Sequence, residues 1–153
     1  MDRLIKMKLV EIKENKKAYL PLLLLADEQE SMIDRYLERG KMYAVLDSEV
    51  LAVAVVTDEG QRTLEIKNIA VSPKAQGKGL GRRMIEEIVH LYRGQYETLI
   101  VGTGDSPLTI PFYEKCGFEK FAVVPDFFTE HYDHPIYEDG KQLTDMVYLK
   151  RKL

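Results

Sequence analysis

The stretch Ile69-Ala70-Val71-Ser72-Pro73-Lys74-Ala75-Gln76-Gly77-Lys78-Gly79-Leu80-Gly81-Arg82 decides how this chain is read. An apolar strand ends at Val71, a loop turns through Ser72 to Ala75, and three alternating glycines open a helix. Backbone N–H groups at a helix start have no internal partners and carry the positive end of the macrodipole. Glycines at 77, 79 and 81 remove the side chains that would hold a pyrophosphate at a distance. The pattern describes an anion site, although a glycine turn that merely caps a helix shares it. Two other phosphate loops fail against it. A dinucleotide fingerprint needs glycine where Arg82 stands, and it belongs on a first strand rather than in mid-chain. A Walker A loop needs Ser or Thr after its lysine, and Lys78 is followed by Gly79.

Outward from this turn, elements alternate only in the middle of the chain. Residues 4–12 alternate like a half-buried strand, and 16–25 form an apolar, helical stretch around Pro21. Asp27 followed by Glu30 has the form of an N-cap with a capping box. The helix after it carries Met32, Ile33, Tyr36 and Leu37 on one face and stops at Gly40. A hairpin over 42–57 and a strand over 63–71 precede the glycine turn. The helix that follows shows Leu80, Met84, Ile85, Ile88, Val89 and Tyr92 at amphipathic spacing. A strand over 96–103, a short helix over 108–115 and strands over 118–124 and 143–150 complete the order.

These elements predict one α/β (α+β) domain over 1–153. Its mixed sheet has about seven strands, antiparallel at first and parallel around the central strand–helix–strand unit, flanked by about four helices.

Composition narrows the partners. Of 153 residues, 45% are hydrophobic and 31% charged, a globular profile. The longest apolar run, Leu20 to Ala26, is far too short to span a bilayer, and the first residues show no apolar leader segment. The single cysteine, Cys116, excludes an internal disulfide and a cysteine-rich metal site. A cytoplasmic protein is expected. Net charge is −3, and no basic stripe offers a nucleic acid its counterion-releasing face.

A second motif stands downstream: Phe112-Tyr113-Glu114-Lys115-Cys116-Gly117-Phe118. Together with Gln76-Gly77-Lys78-Gly79-Leu80-Gly81, it resembles the two recurring blocks of the GNAT superfamily of N-acetyltransferases, in order and spacing. The small stand-alone bacterial members are the nearest likeness, which is detailed over roughly residues 40–124. One departure is Ser106, followed by Pro107, where many members carry Asn before the short helix. Ser106 can still cap that helix.

The resemblance implies a cofactor-like acyl donor, acetyl-CoA, an amine acceptor, and a central strand splayed from its neighbour. Donor contacts would fall on Ile69, Ala70, Val71, on Gln76 through Arg82 (Gln76, Gly77, Lys78, Gly79, Leu80, Gly81, Arg82), on Ser106 and on Tyr113. Any one of Lys78, Arg82 and Arg83 is as readily an ordinary surface cation. Transfer would be direct, within a ternary complex, so Cys116 is a buried hydrophobe rather than a nucleophile.

Each chemical task then has a candidate. Tyr113 matches the family tyrosine that protonates the departing thiolate; packing between helix and sheet is the plainer alternative. The backbone N–H of Val71 or Ile69 would hold the thioester carbonyl. Glu65, at even spacing from Ile69 and Val71, would share their face and act as general base, or be a solvated strand glutamate. Gly102 and Gly104 mark a place where ligand approaches backbone.

Acceptor contacts are expected from Met32 and Tyr36, and from Phe128, His131 and Tyr132 in the aromatic, acidic segment 125–142. Asp126, Glu130, Asp133, Glu138 and Asp139 could attract an amine cation. The same aromatics could instead bury the loop or form a homodimer contact. His131, Asp133 and His134 do not amount to a metal site. The rival to an enzyme is a module that binds acetyl-CoA without turnover.

Overall fold

The computed structural model of the chain describes residues 8–153. The strand expected over 4–12 therefore appears as β1 (Leu9–Ile12), and its first residues, with the N-terminal leader reading, lie outside the described residues. β2 (Lys41–Asp47) and β3 (Glu49–Asp58) form the expected hairpin. β3 shows how the layers arise. Its run Val50–Val56 is apolar throughout, which a strand tolerates only when both faces are covered. Ala52, Ala54 and Val56 face one core, and Val53 and Val55 face another.

The first core is closed by α3 (Leu80–Tyr92) and α4 (Thr109–Lys115). The former turns Leu80, Met84, Ile85, Ile88 and Val89 inward, and the latter Tyr113 and Cys116. The second core is closed by α1 (Leu20–Ala26) and the single-turn helix α2 (Glu30–Ile33), through Leu22, Leu23, Ile33, Tyr36 and Leu37. Buried Lys16 ties off the turns after α2, its Nζ donating to the carbonyls of Leu37 (2.9 Å) and Gly40 (2.8 Å).

β4 (Thr63–Val71) lies beside β3, and β5 (Thr98–Gly104) beside β4. β6 (Glu119–Val124) and β9 (Met146–Lys152) finish a seven-stranded sheet of order β1-β2-β3-β4-β5-β9-β6. Among the described strands of this sheet, only β4 and β5 pair in parallel. Between β6 and β9 the chain makes α5 (Phe127–His131) and a tiny hairpin, β7 (Tyr137–Glu138) and β8 (Lys141–Gln142). That excursion lets β9 slot between β5 and β6. Among the described residues no helix is long and apolar enough to cross a membrane.

Several features differ from expectation, among them the helix expected to run to Gly40, which ends at Ile33. Among the described residues there are five α-helices rather than about four, because α5 forms inside the segment read as loop. β9 starts at Met146 rather than Leu143. Leu143 is instead held by its N–H to Ile136 O (2.8 Å) and buries its side chain with Phe128 and Ile136. Asp27 is no N-cap: α2 is preceded by extended Gln29, and Asp27 ends α1 with its N–H on Leu23 O (3.1 Å). Glu30, its expected capping-box partner, pairs with Lys17.

Candidate active site

β4 and β5 pair from Thr63/Thr98 to Ile66/Val101 and then part. The cause is on β4's other edge. Val55 opposes Asn68 while Val56 opposes Ile66, so Lys67 is an extra residue, a β-bulge that bends the strand away. Past the bulge, Ser72 N–H reaches Leu51 O at 2.7 Å. Antiparallel pairs alternate between bonded and non-bonded, so Ala70 and Asn68 are bonded to β3, and the N–H groups of Ile69 and Val71 point into the gap. The gap is a cleft of about 480 Å³ reaching from Asp27 and Asn68 to Tyr113.

On the β5 wall, glycine is required by the protein's own packing. A Cβ on Gly104 would lie 2.5 Å from Leu143 Cδ1, and one on Gly102 would lie 2.9 Å from the Tyr148 ring.

The glycine turn opens next to this cleft. Gly77 (φ 78°) and Gly79 (φ 75°) are left-handed, with nothing within 4 Å of a would-be Cβ. Gly79 precedes α3 without a side-chain cap, leaving the helix's first N–H groups open. Ile69, Val71, Gln76, Gly81, Arg82 and Phe112 help to wall a pocket of about 290 Å³ there. Gln76 also braces the loop, its Nε2 donating to Val71 O at 3.0 Å.

Tyr113 lines both this pocket and the cleft. Ser106 sets the start of its helix, the Ser106 hydroxyl oxygen accepting from Leu108 N–H (3.1 Å) and Thr109 N–H (3.4 Å). The Tyr113 ring packs edge-on between Phe112 and Phe118 and is 7% exposed. Burial pushes its pKa well up, so the phenol keeps its proton.

A third cavity, about 220 Å³, lies on the opposite face of the sheet between α2 and α5. Asp27 stands where it meets the cleft. The Asp27 carboxylate accepts from Tyr36 (3.0 Å) and from Tyr132 (2.6 Å). Asn68 Nδ2 donates in turn to Tyr36 Oη and to Leu23 O, each at 3.0 Å, while buried Asn68 Oδ1 has no partner among the described residues. Desolvation raises the Asp27 carboxyl despite the two phenols. Glu65 borders the same cavity, 6% exposed and 3.1 Å from Lys67 Nζ. Burial raises its pKa and Lys67 pulls it back.

A family model described as acetyltransferase (GNAT) domain matches residues 38–120, more than half of the chain. A Bacillus subtilis (strain 168) protein named uncharacterized N-acetyltransferase YvbK is 40% identical over 131 residues, 84% of this chain and 84% of its own. The chain belongs to the GNAT acetyltransferase family. A B. subtilis acetyltransferase crystallised with CoA matches at TM-score 0.88 and 36% identity, over 97% of this chain and 99% of that one. A GNAT acetyltransferase from Elizabethkingia anophelis with acetyl-CoA bound matches at TM-score 0.90 and 32% identity, over 96% and 98%.

Within this GNAT domain the sequence candidates separate into groups. Ile69, Val71, Gln76, Gly77, Gly79, Leu80, Gly81, Arg82 and Tyr113 converge on one pocket. Lys78 is exposed and off its wall; Ala70 turns into the second core, and Ser106 is buried at the base of α4. Met32, Tyr36 and Tyr132 border the cavity between α2 and α5, and Phe128 lines the cleft. His131 stays outside, exposed and stacked on Phe127, with Nδ1 on the Phe127 carbonyl. Of the five loop acids only Glu138 lines the cleft.

Glu65 requires a correction. The bulge at Lys67 reverses the parity of β4, so Glu65 shares the face of Asn68 and Ala70, not that of Ile69 and Val71. Sequence reading passed over Asp27 and Asn68 in the site. The signal for Asp27 was there but served a local motif, and nothing local marked Asn68.

Proposed function

We propose that this GNAT protein transfers acetyl from acetyl-CoA to a primary amine of a small molecule or peptide, by direct attack in a ternary complex. One observation carries the reading: the gap between β4 and β5 joins a glycine-lined pocket at a helix N-terminus on one face to a cavity holding the carboxylates of Asp27 and Glu65 on the other. The CoA and acetyl-CoA held by the two structural neighbours suit that pocket. The open N–H groups of α3 would take the pyrophosphate, with Arg82 beside them. The Ile69 and Val71 N–H groups face the path of the pantetheine arm and would steady the thioester carbonyl as it gains negative charge.

The corrected face of Glu65 makes chemical sense of the rest. An ammonium entering from the cavity between α2 and α5 gives one proton to the Glu65 carboxylate, directly or through one water, and the neutral amine attacks the carbonyl carbon. The C–N bond forms, the C–S bond breaks, the thiolate takes the Tyr113 proton from the opposite face, and the second proton of the acylated nitrogen returns through water to the phenolate. Base and acid thus flank the reacting carbon from two sides of the sheet.

The deciding experiment measures thiol release from acetyl-CoA against amines and peptides, with wild type and Tyr113→Phe. Turnover that depends on Tyr113 supports the enzyme. Tight acetyl-CoA binding with no acetylated product from any amine would instead support a binding module.

A further inference from the structure

The cavity between α2 and α5 carries three cations on its wall: Arg35, Arg39 and Lys67. Two are already matched. Arg39 meets Glu59 at 3.0 Å, and Lys67 meets Glu65 at 3.1 Å. Asp27, the remaining acid of the wall, is satisfied by two phenols instead. Arg35 alone of the three has no carboxylate partner among the described residues; its hydrogen bond is a weak one, Nη1 to Met32 Sδ at 3.5 Å. The residue is solvent-exposed, and that contact holds its side chain against Met32, where it lines the cavity mouth. Its charge is felt by Asp27, Tyr132 and Tyr148, three groups on the same wall.

We infer that the acceptor carries a carboxylate beside its amine, and that Arg35 selects it. This rests on the acetyltransferase reading and gives it a substrate class: an amino acid or a similar zwitterion. The two ends of such a molecule meet complementary groups. Its ammonium is drawn to Asp27 at the junction with the cleft, with Glu65 on the wall of the same cavity to take the proton. Its carboxylate meets the planar guanidinium fork, which can donate to both oxygens at once. At about 220 Å³ the cavity is smaller than the roughly 300–1,000 Å³ typical of drug-sized sites, which suits a single small metabolite. Met32, Phe127 and Met146 on the wall favour an apolar side chain.

The test compares each common amino acid with its own carboxamide, as acetyl acceptors and in calorimetric titration of CoA-saturated protein. The carboxamide's amine loses its proton more readily, so that bias runs against the expected result. At least one amino acid should be favoured over its amide by about tenfold or more in kcat/KM and in affinity, the scale of a hydrogen bond to a charged group. Arg35→Gln should erase that preference by raising KM for the acid and leaving the amide unchanged, and Arg35→Lys should restore part of it. Equal or better use of the amides, or a preference indifferent to Arg35→Gln, overturns the carboxylate site while leaving acetyl transfer standing. Should no amine be acetylated, the acetyltransferase reading fails. The titrations then decide the pocket alone, and an absence of carboxylate preference in binding overturns it as well.

Discussion

The hydroxyl of Tyr132 donates to Asp27 Oδ1 at 2.6 Å, joining residues 105 positions apart. Through it, α5 is fastened to the end of α1. Tyr36 holds the other carboxylate oxygen, so one acid ties three segments around the cavity between α2 and α5. Asp133 N–H, bonded to Gln29 Oε1 at 2.9 Å, repeats the link one residue further on.

Tyr132→Phe keeps the ring and its stacking on Phe128 but removes the donor. A hydrogen bond to a charged group contributes about 1.5–3 kcal/mol. Asp27 keeps Tyr36 and is partly solvated, so a loss near the lower figure is expected in urea unfolding. Acceptor KM should rise severalfold while acetyl-CoA affinity stays unchanged, because the glycine pocket is remote from α5. An equal loss of acetyl-CoA affinity would contradict this division of the site.

Glu65 predicts a pH profile. Burial holds its carboxyl above the usual 4.5, and Lys67 at 3.1 Å offsets part of that rise. A base works deprotonated, so kcat/KM should climb with pH through a limb set above the ordinary glutamate value. Lys67→Met removes the offsetting cation and should move that limb to still higher pH. Glu65→Gln should abolish the limb and lower kcat by roughly 10²–10⁴-fold, the usual share of general base catalysis. A limb that stays in place in Lys67→Met would show that another group titrates.

How much of this was legible in sequence depends on how local each signal is. The glycine turn and the Phe112–Phe118 block are contiguous, and both folded as read, down to Ser106 capping α4. Glu65's position was legible but its orientation was not. Simple alternation assumes an unbroken strand, and the bulge at Lys67 appears only when β4 is set against β3. Asp27 followed by Glu30 satisfies a local capping rule, yet two phenols, one of them 105 residues away, compete for the same carboxylate and win. The place of β9 between β5 and β6 likewise depends on partners distant in sequence.

Gly79→Ala separates backbone conformation from contact. Its φ of 75° suits glycine, and a Cβ there meets nothing within 4 Å. The cost is therefore conformational, about 1–2 kcal/mol for a left-handed residue with a side chain. Thermal unfolding should show that modest loss. Acetyl-CoA affinity should fall by more than the stability change implies, because the added methyl stands at the mouth of the open α3 amides. If affinity is unchanged, the pyrophosphate is held elsewhere.

Tyr113→Phe should divide activity from stability most sharply. No described residue hydrogen-bonds the Tyr113 hydroxyl, while its ring is packed on two sides by Phe112 and Phe118. Removing the oxygen leaves that packing intact and orphans no partner, so unfolding free energy should stay within about 0.5 kcal/mol of wild type. On the proposed mechanism the thiolate loses its proton donor, and kcat should drop by roughly 10²-fold or more. Burial raises the phenol's pKa, so wild-type kcat should not decline in the mildly alkaline range from loss of this proton. A variant with full turnover would remove Tyr113 from the reaction and leave water as the acid at the thiolate.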